Sequence, residues 1–417
     1  MKNLSFFIAG HAEYGRLEAL RDFFLLNKVK YLIVLYLDLA FTKKKFSRIE
    51  IYRNGNIKKK INIYNYTFDN KSKYGYIRII LTYFTYFFSI FKILRLIRNE
   101  KINFYIGIGS IITLITKIIF FFSSQKDSKL IFYCIDYFNR FYYLEDFLKI
   151  KYFINYFEYK IQFYLLKTSD FIWEISKKIS IARNKSPDFT ANETKKLINQ
   201  IKKKTYVIPL GYSTVMLKNI KKLNLKKIRD DVLNIVFIGV INPHQGLDTL
   251  ADVIKMNSKF FMKKIHIHII GDGPYLSNFK KNLIKNNLQS FFSIYGRLDF
   301  KKVSKIIFAS DYGYAIFPNF KGNHSLNGEP GKIKMYYIYN IPCIVSHNVY
   351  LSKLIKKNDA GLVLKKNTLK ELSSNLIGLV KYKSYYNNKF KNNLLNFKNN
   401  ECISDVHFNN FFNQVLN

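Results

Sequence analysis

The sequence predicts an α/β protein whose parallel sheets are covered by helices on both faces. Between residues 234 and 382, short runs rich in β-branched residues alternate with amphipathic runs, and the connections are short. Such an alternation is typical of the strand and helix units of a Rossmann-like domain. Because 417 residues exceed the usual size of one domain, we expect at least two domains.

The elements of the second half follow one another regularly. The first strand covers 234–240, and the helix over 246–256 has Leu247, Leu250 and Ile254 on one face. Asp299 is placed to cap a helix, and Thr368 opens a capping box with the glutamate three residues later. Further strands are predicted over 264–271, 292–296, 312–318, 341–346 and 360–364, and further helices over 275–287, 300–309, 331–340 and 351–357.

The first half fits the same plan with less regularity. Its predicted strands are 6–10, 31–37, 103–109 and 129–136, followed by helices over 140–178. A Lys-rich run over 218–231 shows neither a helical nor a strand period, which predicts a linker. We therefore expect an amino-terminal domain over 1–212, a linker over 213–231, a second domain over 232–395 and a closing helical segment over 396–417.

Composition and charge exclude several classes of protein. The 39 Phe and 32 Tyr residues exclude intrinsic disorder, and three cysteines are too few for a disulfide scaffold, which favours a reducing cytoplasm. The net charge of +40 suits nucleic acid, an anionic membrane or a phosphorylated small molecule equally well.

Two aromatic stretches, 76–97 and 104–122, approach the length of a membrane span. Lys and Arg residues interrupt both stretches, so strand and helix are favoured over a span, and a signal peptide is not expected at the start of the chain. Their aromatic and basic composition still suits a surface that lies against anionic lipid.

Several motifs that carry chemistry are missing from the sequence. It contains no phosphate loop, no G-x-G-x-x-G fingerprint, no Asp-x-Asp and no cysteine pair with zinc spacing, so neither a dinucleotide cofactor nor a metal is expected. His266-x-His268 places two imidazoles on one face of a strand, where ordinary polar positions are favoured over a metal pair.

Four glycine-containing loops follow the predicted strands of the second half. Ligands of open α/β sheets bind at the carboxyl ends of strands, where these loops would meet. In the last loop, Pro330 precedes a helix and Lys332 follows it, which would give a diphosphate both free amides and a cation. The loops cover 239–246, 271–274, 296–299 and 322–332.

An ordered set of motifs resembles one enzyme family. FIGVINPHQGLDTLADVI, HIHIIGDGP, IYGRLD, DYGYAIFP, EPGKIKMYYIYNIPCIVS and DAGLVL, over 234–364, resemble the nucleotide-sugar domain of retaining GT-B glycosyltransferases related to family 4. The resemblance implies two Rossmann-like parallel-sheet domains that face each other across a cleft. It also implies that the donor binds mainly to the second domain and that the last helix returns to the first.

The resemblance also implies roles for single residues. Lys332, Arg297 and the amides of residues 331–333 would stabilise the leaving diphosphate without a metal ion. Glu329 would hold sugar hydroxyls, and Asp136 or His11 would orient the acceptor, although Asp136 suits a plain strand-end turn equally well. The expected nucleotide-sugar contacts are Gly10, Gln245, Gly246, Gly271, Arg297, Pro330, Gly331 and Lys332.

The sequence departs from the family at the donor site. Val240 and Gln245 stand where relatives carry an Arg and a Lys, and Asn327 and Met335 stand where relatives carry two Glu residues. Either the chain contacts its donor differently, which we favour, or its activity is impaired.

The resulting hypothesis is a hexosyltransferase that needs no cofactor beyond its substrate, a UDP- or GDP-sugar. Its acceptor would be a lipid-linked or polysaccharide glycan of the cell surface, reached from the cytoplasmic face of the membrane at an anionic lipid surface. The alternatives are an impaired GT-B homologue acting as a partner subunit and a basic protein that binds single-stranded nucleic acid. No nucleic-acid motif accompanies the lysines, so nucleic acid is not expected as a partner.

Overall fold

A computed structural model describes most of the chain and divides it into two compact units. The first unit is Met1–Pro209 together with His407–Asn417, and the second is Leu210–Val406. The described residues are 1–11, 15–37, 46–64, 86–87, 89–123, 126–135, 150–184, 192–223, 225, 232–318 and 329–416.

The first unit is built on an eight-stranded sheet with the order β4-β3-β2-β1-β5-β6-β7-β8. Its strands are parallel except that β3 pairs antiparallel with both β2 and β4. The four strands predicted in this half are present as β1, β2, β5 and β6. The strands are β1 Ser5–His11, β2 Tyr31–Leu37, β3 Phe46–Arg53, β4 Asn56–Tyr64, β5 Phe104–Ile108, β6 Lys129–Cys134, β7 Phe171–Glu174 and β8 Thr205–Val207.

Two features of this sheet differ from the expectation. The hairpin of β3 and β4 is not among the predicted elements, although Asn54 and Gly55 carry the positive φ angles of 49° and 83° that a tight hairpin turn requires. The prediction of helix throughout 140–178 is wrong at β7, where the buried residues Ile172 and Trp173 pair with β6. An aromatic-rich run of four residues suits a buried strand as well as a helix, so periodicity alone does not separate them.

The helices of the first unit cover its sheet. Residues 89–97 are also helical. Ile90, Ile93 and Ile97 pack in one buried cluster with residues of the helix that follows β5. The described parts of the two aromatic stretches thus form strand and helix, as predicted. None of the helices in the described residues is long and apolar enough to cross a membrane. The labelled helices are α1 Arg16–Leu26, α2 Ser110–Ser123, α3 Ile150–Thr168, α4 Lys177–Asn184 and α5 Asn192–Lys203.

The second unit is built on a six-stranded sheet with the order β11-β10-β9-β12-β13-β14. All of its strand pairs are parallel, as predicted from the alternation of short strands and helices. Its strands are β9 Leu233–Ile238, β10 Ile265–Ile270, β11 Phe292–Gly296, β12 Tyr312–Ala315, β13 Cys343–Val345 and β14 Leu362–Val363.

The helices of the second unit begin inside the segment predicted as a linker. Ser213 caps the first of them by accepting a hydrogen bond from the Met216 amide, and Ile220 is buried. The expectation that residues from 218 onward lack a helical period is therefore wrong up to Lys222. The helices are α6 Thr214–Lys222, α7 Leu247–Met256, α8 Leu276–Lys285, α9 Phe300–Ala309, α10 Gly331–Ile338, α11 Tyr350–Lys357, α12 Leu369–Lys381 and α13 Lys383–Phe397, with a short turn of helix at Ser258–Phe261. The last helix, α14 Ser404–Leu416, begins in the second unit and belongs to the first unit from His407 onward.

The last helix, α14, is joined to the first unit by aromatic packing. Phe411 lies edge-on to Trp173 of β7 with ring centroids 4.9 Å apart, and Phe412 packs in the same way on Phe6 of β1 at 5.6 Å. Aromatic pairs of this geometry add about 0.5–1.5 kcal/mol each beyond their buried area. His407–Asn417 therefore belong to the core of the first unit although they end the chain.

Candidate functional site

The turn after β9 and the first turn of α10 lie together at the carboxyl end of the second sheet. Gly239 has a φ of 143°, and a Cβ atom built on it would lie 3.9 Å from the Nζ atom of Lys332. The same ammonium group donates a hydrogen bond to Oε1 of Gln245. Three positions that are far apart in sequence thus form one corner of the sheet, and two of them, Gln245 and Lys332, are predicted site residues.

The Lys332 ammonium is held among aromatic rings. Its Nζ atom lies 4.1 Å from the ring centroid of Phe237 and 5.0 Å from that of Phe317. Burial lowers the pKa of Lys332 to about 7, because a charged amine is costly to remove from water. The rings favour the charged form but do not replace its lost hydration. An anion brought to this corner would be stabilised by the ammonium and would in turn raise the pKa of Lys332.

The amino terminus of α10 adds backbone donors to this cation. Pro330 is the N-cap residue and no side chain caps the helix. The amides of Gly331 and Lys332 belong to the first turn, which has no earlier helical carbonyl to bond. The amide of Ile333 donates to the Pro330 carbonyl at 3.0 Å, so it is not one of the free donors that the sequence predicts. A helix start of this kind attracts anions through its amides and its dipole.

Close packing accounts for three glycines of the predicted site, Gly10, Gly246 and Gly271, but not for Gly331. A Cβ atom on Gly271 would lie 1.9 Å from the Gly239 carbonyl oxygen, and one on Gly246, where φ is 67°, would lie 2.6 Å from that of Ile316. In the first unit, a Cβ atom on Gly10 would lie 3.2 Å from Ile108 Cδ1. These glycines therefore let the turns approach one another, whether or not a ligand is bound.

Glu329 forms a buried ion pair next to this corner. Its Oε2 atom lies 3.0 Å from Lys334 Nζ and accepts a hydrogen bond of 2.9 Å from the Leu210 amide. Lys334 Nζ also donates to the Leu210 carbonyl. Burial raises the pKa of Glu329, and the neighbouring Lys334 opposes that shift. The carboxylate thus anchors the chain at Leu210, and this contact argues against its predicted role in holding sugar hydroxyls.

The sequence reasoning overlooks Lys334. It lies on the apolar side of α10, in the run IKMYYI, and its side chain is fully buried. Lysine is almost never buried without a partner, so a cation inside an apolar helix face is a signal that an acid lies nearby. Glu329, five residues earlier, is the partner.

Met335 stands at the position where the family resemblance implies a Glu, and Tyr212 contacts it. The Tyr212 hydroxyl donates to Met335 Sδ at 3.2 Å and lies 3.3 Å from the Gly331 carbonyl oxygen. No local sequence pattern points to Tyr212 as a site residue. Its hydroxyl is a polar group beside the Met335 side chain.

Two further predicted residues, Arg297 and His11, lie at the carboxyl ends of strands in the second and first units. Arg297 follows β11, its side chain is 77% exposed, and its guanidinium lies 3.9 Å from the Asp272 carboxylate. His11 ends β1 in the first unit, with Nδ1 3.2 Å from the Leu37 carbonyl oxygen, and burial lowers its pKa to about 4. His11 is therefore neutral near pH ~7. Asp136 and Asn327 lie outside the described residues.

The two histidines of β10 are engaged with neighbouring strands. His266 Nε2 lies 2.8 Å from Ser293 Oγ, and His268 lies 2.9 Å from the Tyr295 hydroxyl and 3.0 Å from Asn234 Oδ1. Within the described parts of the chain, no group of three or more His, Cys, Asp or Glu side chains is arranged to hold a metal ion.

Comparison with known proteins identifies the fold. No protein-family profile and no curated protein matches the sequence. The structure matches sucrose-phosphate synthase from Thermosynechococcus elongatus with a TM-score of 0.65 and 10% identity, covering 99% of both chains. It matches the catalytic domain of starch synthase IV from Arabidopsis thaliana, bound to ADP and acarbose, with the same score, identity and coverage. This is the GT-B fold.

The GT-B fold confirms the predicted fold class, an α/β protein with two largely parallel sheets. Anabaena HepE in complex with UDP and glucose matches with a TM-score of 0.58, 10% identity and 99% coverage of both chains. WaaG, a glycosyltransferase involved in lipopolysaccharide biosynthesis, matches with a TM-score of 0.60, 10% identity and coverage of 98% of this chain and 99% of WaaG. At this identity the likeness shows the GT-B fold, and the site residues rest on the contacts described above.

Proposed function

We propose that this chain transfers a sugar, with retention of anomeric configuration, from a nucleotide-diphosphate sugar to a lipid-linked or polysaccharide acceptor. The observation that carries the proposal is the Lys332 ammonium, which lies between Phe237 and Phe317 beside the uncapped start of α10. Structures with the same fold hold UDP-glucose in HepE and ADP in starch synthase IV, which supports a nucleotide donor at this corner.

The proposed reaction proceeds on one face of the donor sugar. The bond between the anomeric carbon and the diphosphate oxygen breaks, and the departing oxygen takes the proton of the acceptor hydroxyl as the new glycosidic bond forms. Lys332 and the amides of Gly331 and Lys332 stabilise the negative charge that develops on the diphosphate. These groups supply the countercharge without a metal ion, and Arg297 provides a second, solvent-exposed cation.

In the first unit, we propose that His11 contacts the acceptor as a neutral group. Its lowered pKa keeps the imidazole uncharged, so one ring nitrogen can donate a hydrogen bond and the other can accept one, but the ring does not carry a second proton near neutral pH. Asp136 keeps its predicted role of orienting the acceptor.

We further propose that the protein acts in cell-surface glycan synthesis as a peripheral protein at the inner face of the cytoplasmic membrane. At the end of α2, Phe121 and Phe122 are 77% and 67% exposed and contact each other edge-on. Lys117 of the same helix donates to the Thr168 carbonyl of α3 at 3.2 Å, so it lies near Lys167. Exposed aromatic rings next to lysines are typical of surfaces that bind anionic lipid.

A binding titration tests the donor site. Isothermal titration with UDP, GDP and ADP should show saturable binding of at least one nucleotide, and Lys332→Met should weaken it by about 10- to 100-fold, the usual loss for a charge-assisted contact. The matched control is Lys302→Met, whose side chain is 70% exposed on α9. If none of the three binds, the transferase proposal is wrong.

The reaction itself is tested with labelled nucleotide sugars and a membrane extract. We expect label in the lipid or polymer fraction, and the anomeric configuration of the product by NMR should equal that of the donor. Inversion of configuration would contradict the proposed mechanism.

Flotation with liposomes tests the membrane contact. Phe121→Ser/Phe122→Ser should reduce flotation with anionic vesicles, whereas Phe300→Ser, which removes a ring that is 42% exposed in the second unit, should not. Equal flotation of all three proteins, or flotation with neutral vesicles alone, would reject this surface.

The contact of Tyr212 with Met335 favours one alternative, a GT-B partner subunit without transfer activity. Such a subunit would bind a nucleotide and yet incorporate no label. Met335→Glu would then restore transfer only if the missing carboxylate is the cause, which makes this variant the direct test.

A further inference from the structure

A cavity of about 720 Å³ opens on the second sheet beside α9. Small-molecule sites commonly have volumes of about 300 to 1,000 Å³. The cavity is lined chiefly by the first residues of β9 and β10, by β11 and by the end of α9. Its lining is mostly apolar and includes Asn234, Met262, Lys263, His266, His268 and Tyr295.

This cavity is separate from the corner that holds Lys332. His266 is the second residue of β10, whereas Gly271, which packs on the Gly239 turn, follows the end of that strand. At roughly 3.3 Å per residue, His266 lies about 16 Å and His268 about 10 Å along the strand from Gly271. The cavity therefore occupies another part of the sheet than the proposed donor site, and none of its lining residues is Gly239, Gln245 or Lys332.

The sheet face in the cavity is polar and held in place by its own hydrogen bonds. Faces of parallel sheets that helices cover are normally aliphatic. Here His266 and His268 lie with ring centroids 4.9 Å apart, and His268 is held between the Tyr295 hydroxyl and Asn234. Ser293 holds His266 from β11. Side chains that are already ordered lose little entropy when a ligand binds.

The charged side chains of the described lining are all cationic, which favours an anionic ligand. Lys263 and Lys305 are exposed at the cavity, and none of the described residues that line it is an Asp or a Glu. Tyr295 is 39% exposed and lies nearly parallel to the His268 ring, at an angle of 16°. Lysines bind phosphate as point charges, and exposed flat rings favour stacking with another ring.

We propose that this cavity is a second binding site, which takes a small phosphate monoester that carries a flat ring. The phosphate contacts Lys263 and Lys305, and the ring lies against Tyr295 and Phe291. This site does not depend on the proposed transferase function, because none of its lining residues belongs to the donor corner, the cluster of Gly239, Gln245 and Lys332.

Methionine methyl NMR on the full chain tests the site with phenyl phosphate as the probe. Met262 lines the cavity, Met335 lies beside the donor corner, and Met256 is exposed elsewhere, so the three signals separate the outcomes. Phenyl phosphate at about 1 mM should shift Met262 saturably and leave Met335 and Met256 in place. UDP should shift Met335 instead, so the two proposals succeed or fail separately.

Charge reversal identifies the phosphate contacts. Lys263→Glu/Lys305→Glu should weaken binding of phenyl phosphate by at least about tenfold, since each lysine supplies a charge-assisted contact. Lys280→Glu/Lys281→Glu, which makes the same charge change at exposed positions of α8, should leave the affinity within about twofold. Unchanged Met256 and Met335 signals verify that the variants are folded.

Three results would overturn the proposal. They are no saturable shift of Met262 with phenyl phosphate, an equal shift with uncharged phenol, and an equal loss of affinity in both double variants. The first shows that the cavity is unoccupied, the second that charge is not recognised, and the third that only the overall positive charge attracts the probe.

Discussion

The carboxyl ends of the parallel strands present different chemistry in the two sheets. In the first unit, β1 ends at His11, whose pKa is lowered to about 4 so that the ring is neutral. In the second unit, β9 ends at a glycine turn beside the Lys332 ammonium and the free amides of α10. The side chains and helix ends around each sheet, rather than the sheet itself, make the second unit the better site for the proposed diphosphate.

Aromatic packing and tyrosine hydroxyls hold strand ends in both units, and in the first unit the Tyr133 hydroxyl donates to the Ile208 carbonyl at 3.0 Å. In the first unit, rings pack on rings, as in the stacking of Phe6 on Phe24 at 4.0 Å. In the second unit, tyrosine hydroxyls bond the backbone: Tyr314 donates to the Gly246 carbonyl at 2.7 Å, and Tyr336 donates to that of Tyr314 at 3.0 Å. The turn that carries Gln245 and Gly246 is therefore fixed by specific hydrogen bonds, which suits a binding corner.

The largest expected effect concerns the ion pair that anchors α10. Lys334→Met should lower the free energy of unfolding by about 3–5 kcal/mol, because it leaves the Glu329 carboxylate buried without its cation. Urea unfolding measures the change. Lys302→Met removes an exposed pair with Asp299 and should cost less than about 1 kcal/mol.

The double variant Lys334→Met/Glu329→Leu sharpens this result. It removes both charges, so it should recover most of the stability lost in Lys334→Met. If Lys334→Met lowers the free energy of unfolding no more than the exposed control does, the ion pair does not stabilise the start of α10.

The next largest effect is the difference in stability between a substitution at the closely packed Gly271 and one at Gly331, which starts α10. Gly271→Ala should destabilise the protein by about 3 kcal/mol, because its Cβ atom would meet the Gly239 carbonyl oxygen and its φ is 140°. Gly331→Ala should be neutral, since no atom lies within 4 Å of the added Cβ. Thermal unfolding of both variants measures the difference, and similar melting temperatures would contradict the packing account.

A smaller effect, in the first unit, is the loss of folding stability at low pH that is due to His11. The pKa of His11 falls from its ordinary value of 6.5 to about 4, so the unfolded state binds the proton first. Stability should therefore be lost as the pH falls through this window, by up to about 3 kcal/mol for this residue. His11→Gln should remove that part of the pH dependence, whereas His347→Gln, at an exposed position, should retain it. Identical acid profiles for the three proteins would exclude His11 as a buried neutral group.

The smallest effect concerns the pH dependence of nucleotide binding. The pKa of Lys332 is about 7 without a ligand, and a bound diphosphate raises it. Above this value the free amine must take up a proton on binding, so the affinity should fall by up to about tenfold per pH unit. Lys332→Arg stays charged and should bind with a flat profile between about pH 7 and 9. A flat profile for the unmodified protein would exclude Lys332 as the diphosphate contact.

Much of the fold was accessible from the sequence because its signals are local. The six strands of the second sheet were predicted from short β-branched runs, and the caps at Asp299 and Thr368 are present. The signal for the β3 and β4 hairpin, Asn54-Gly55, is also local, and the prediction omitted it. For β7, the aromatic run around Trp173 carries no periodicity that separates a strand from a helix.

Only part of the candidate site could be predicted from the sequence. The glycine loops and Lys332 were found because strand ends and helix starts have sequence signatures. The role of Glu329 was not predictable, because its partner amide at Leu210 is 119 residues away in the chain. Tyr212 was overlooked for the same reason, since its contact with Met335 spans 123 residues.

The sequence by itself determined the order of strands and helices, the parallel sheet of the second unit and the place of the glycine turns, since periodicity and turn chemistry act between near neighbours. Only the tertiary structure decided the surroundings of Lys332 and Lys334, two cations on one helix turn. Gln245 and two aromatic rings surround the first, and Glu329 and Leu210 hold the second. Burial and partners come from distant segments, so the same residue type becomes a candidate ligand contact at one position and a structural anchor at the other.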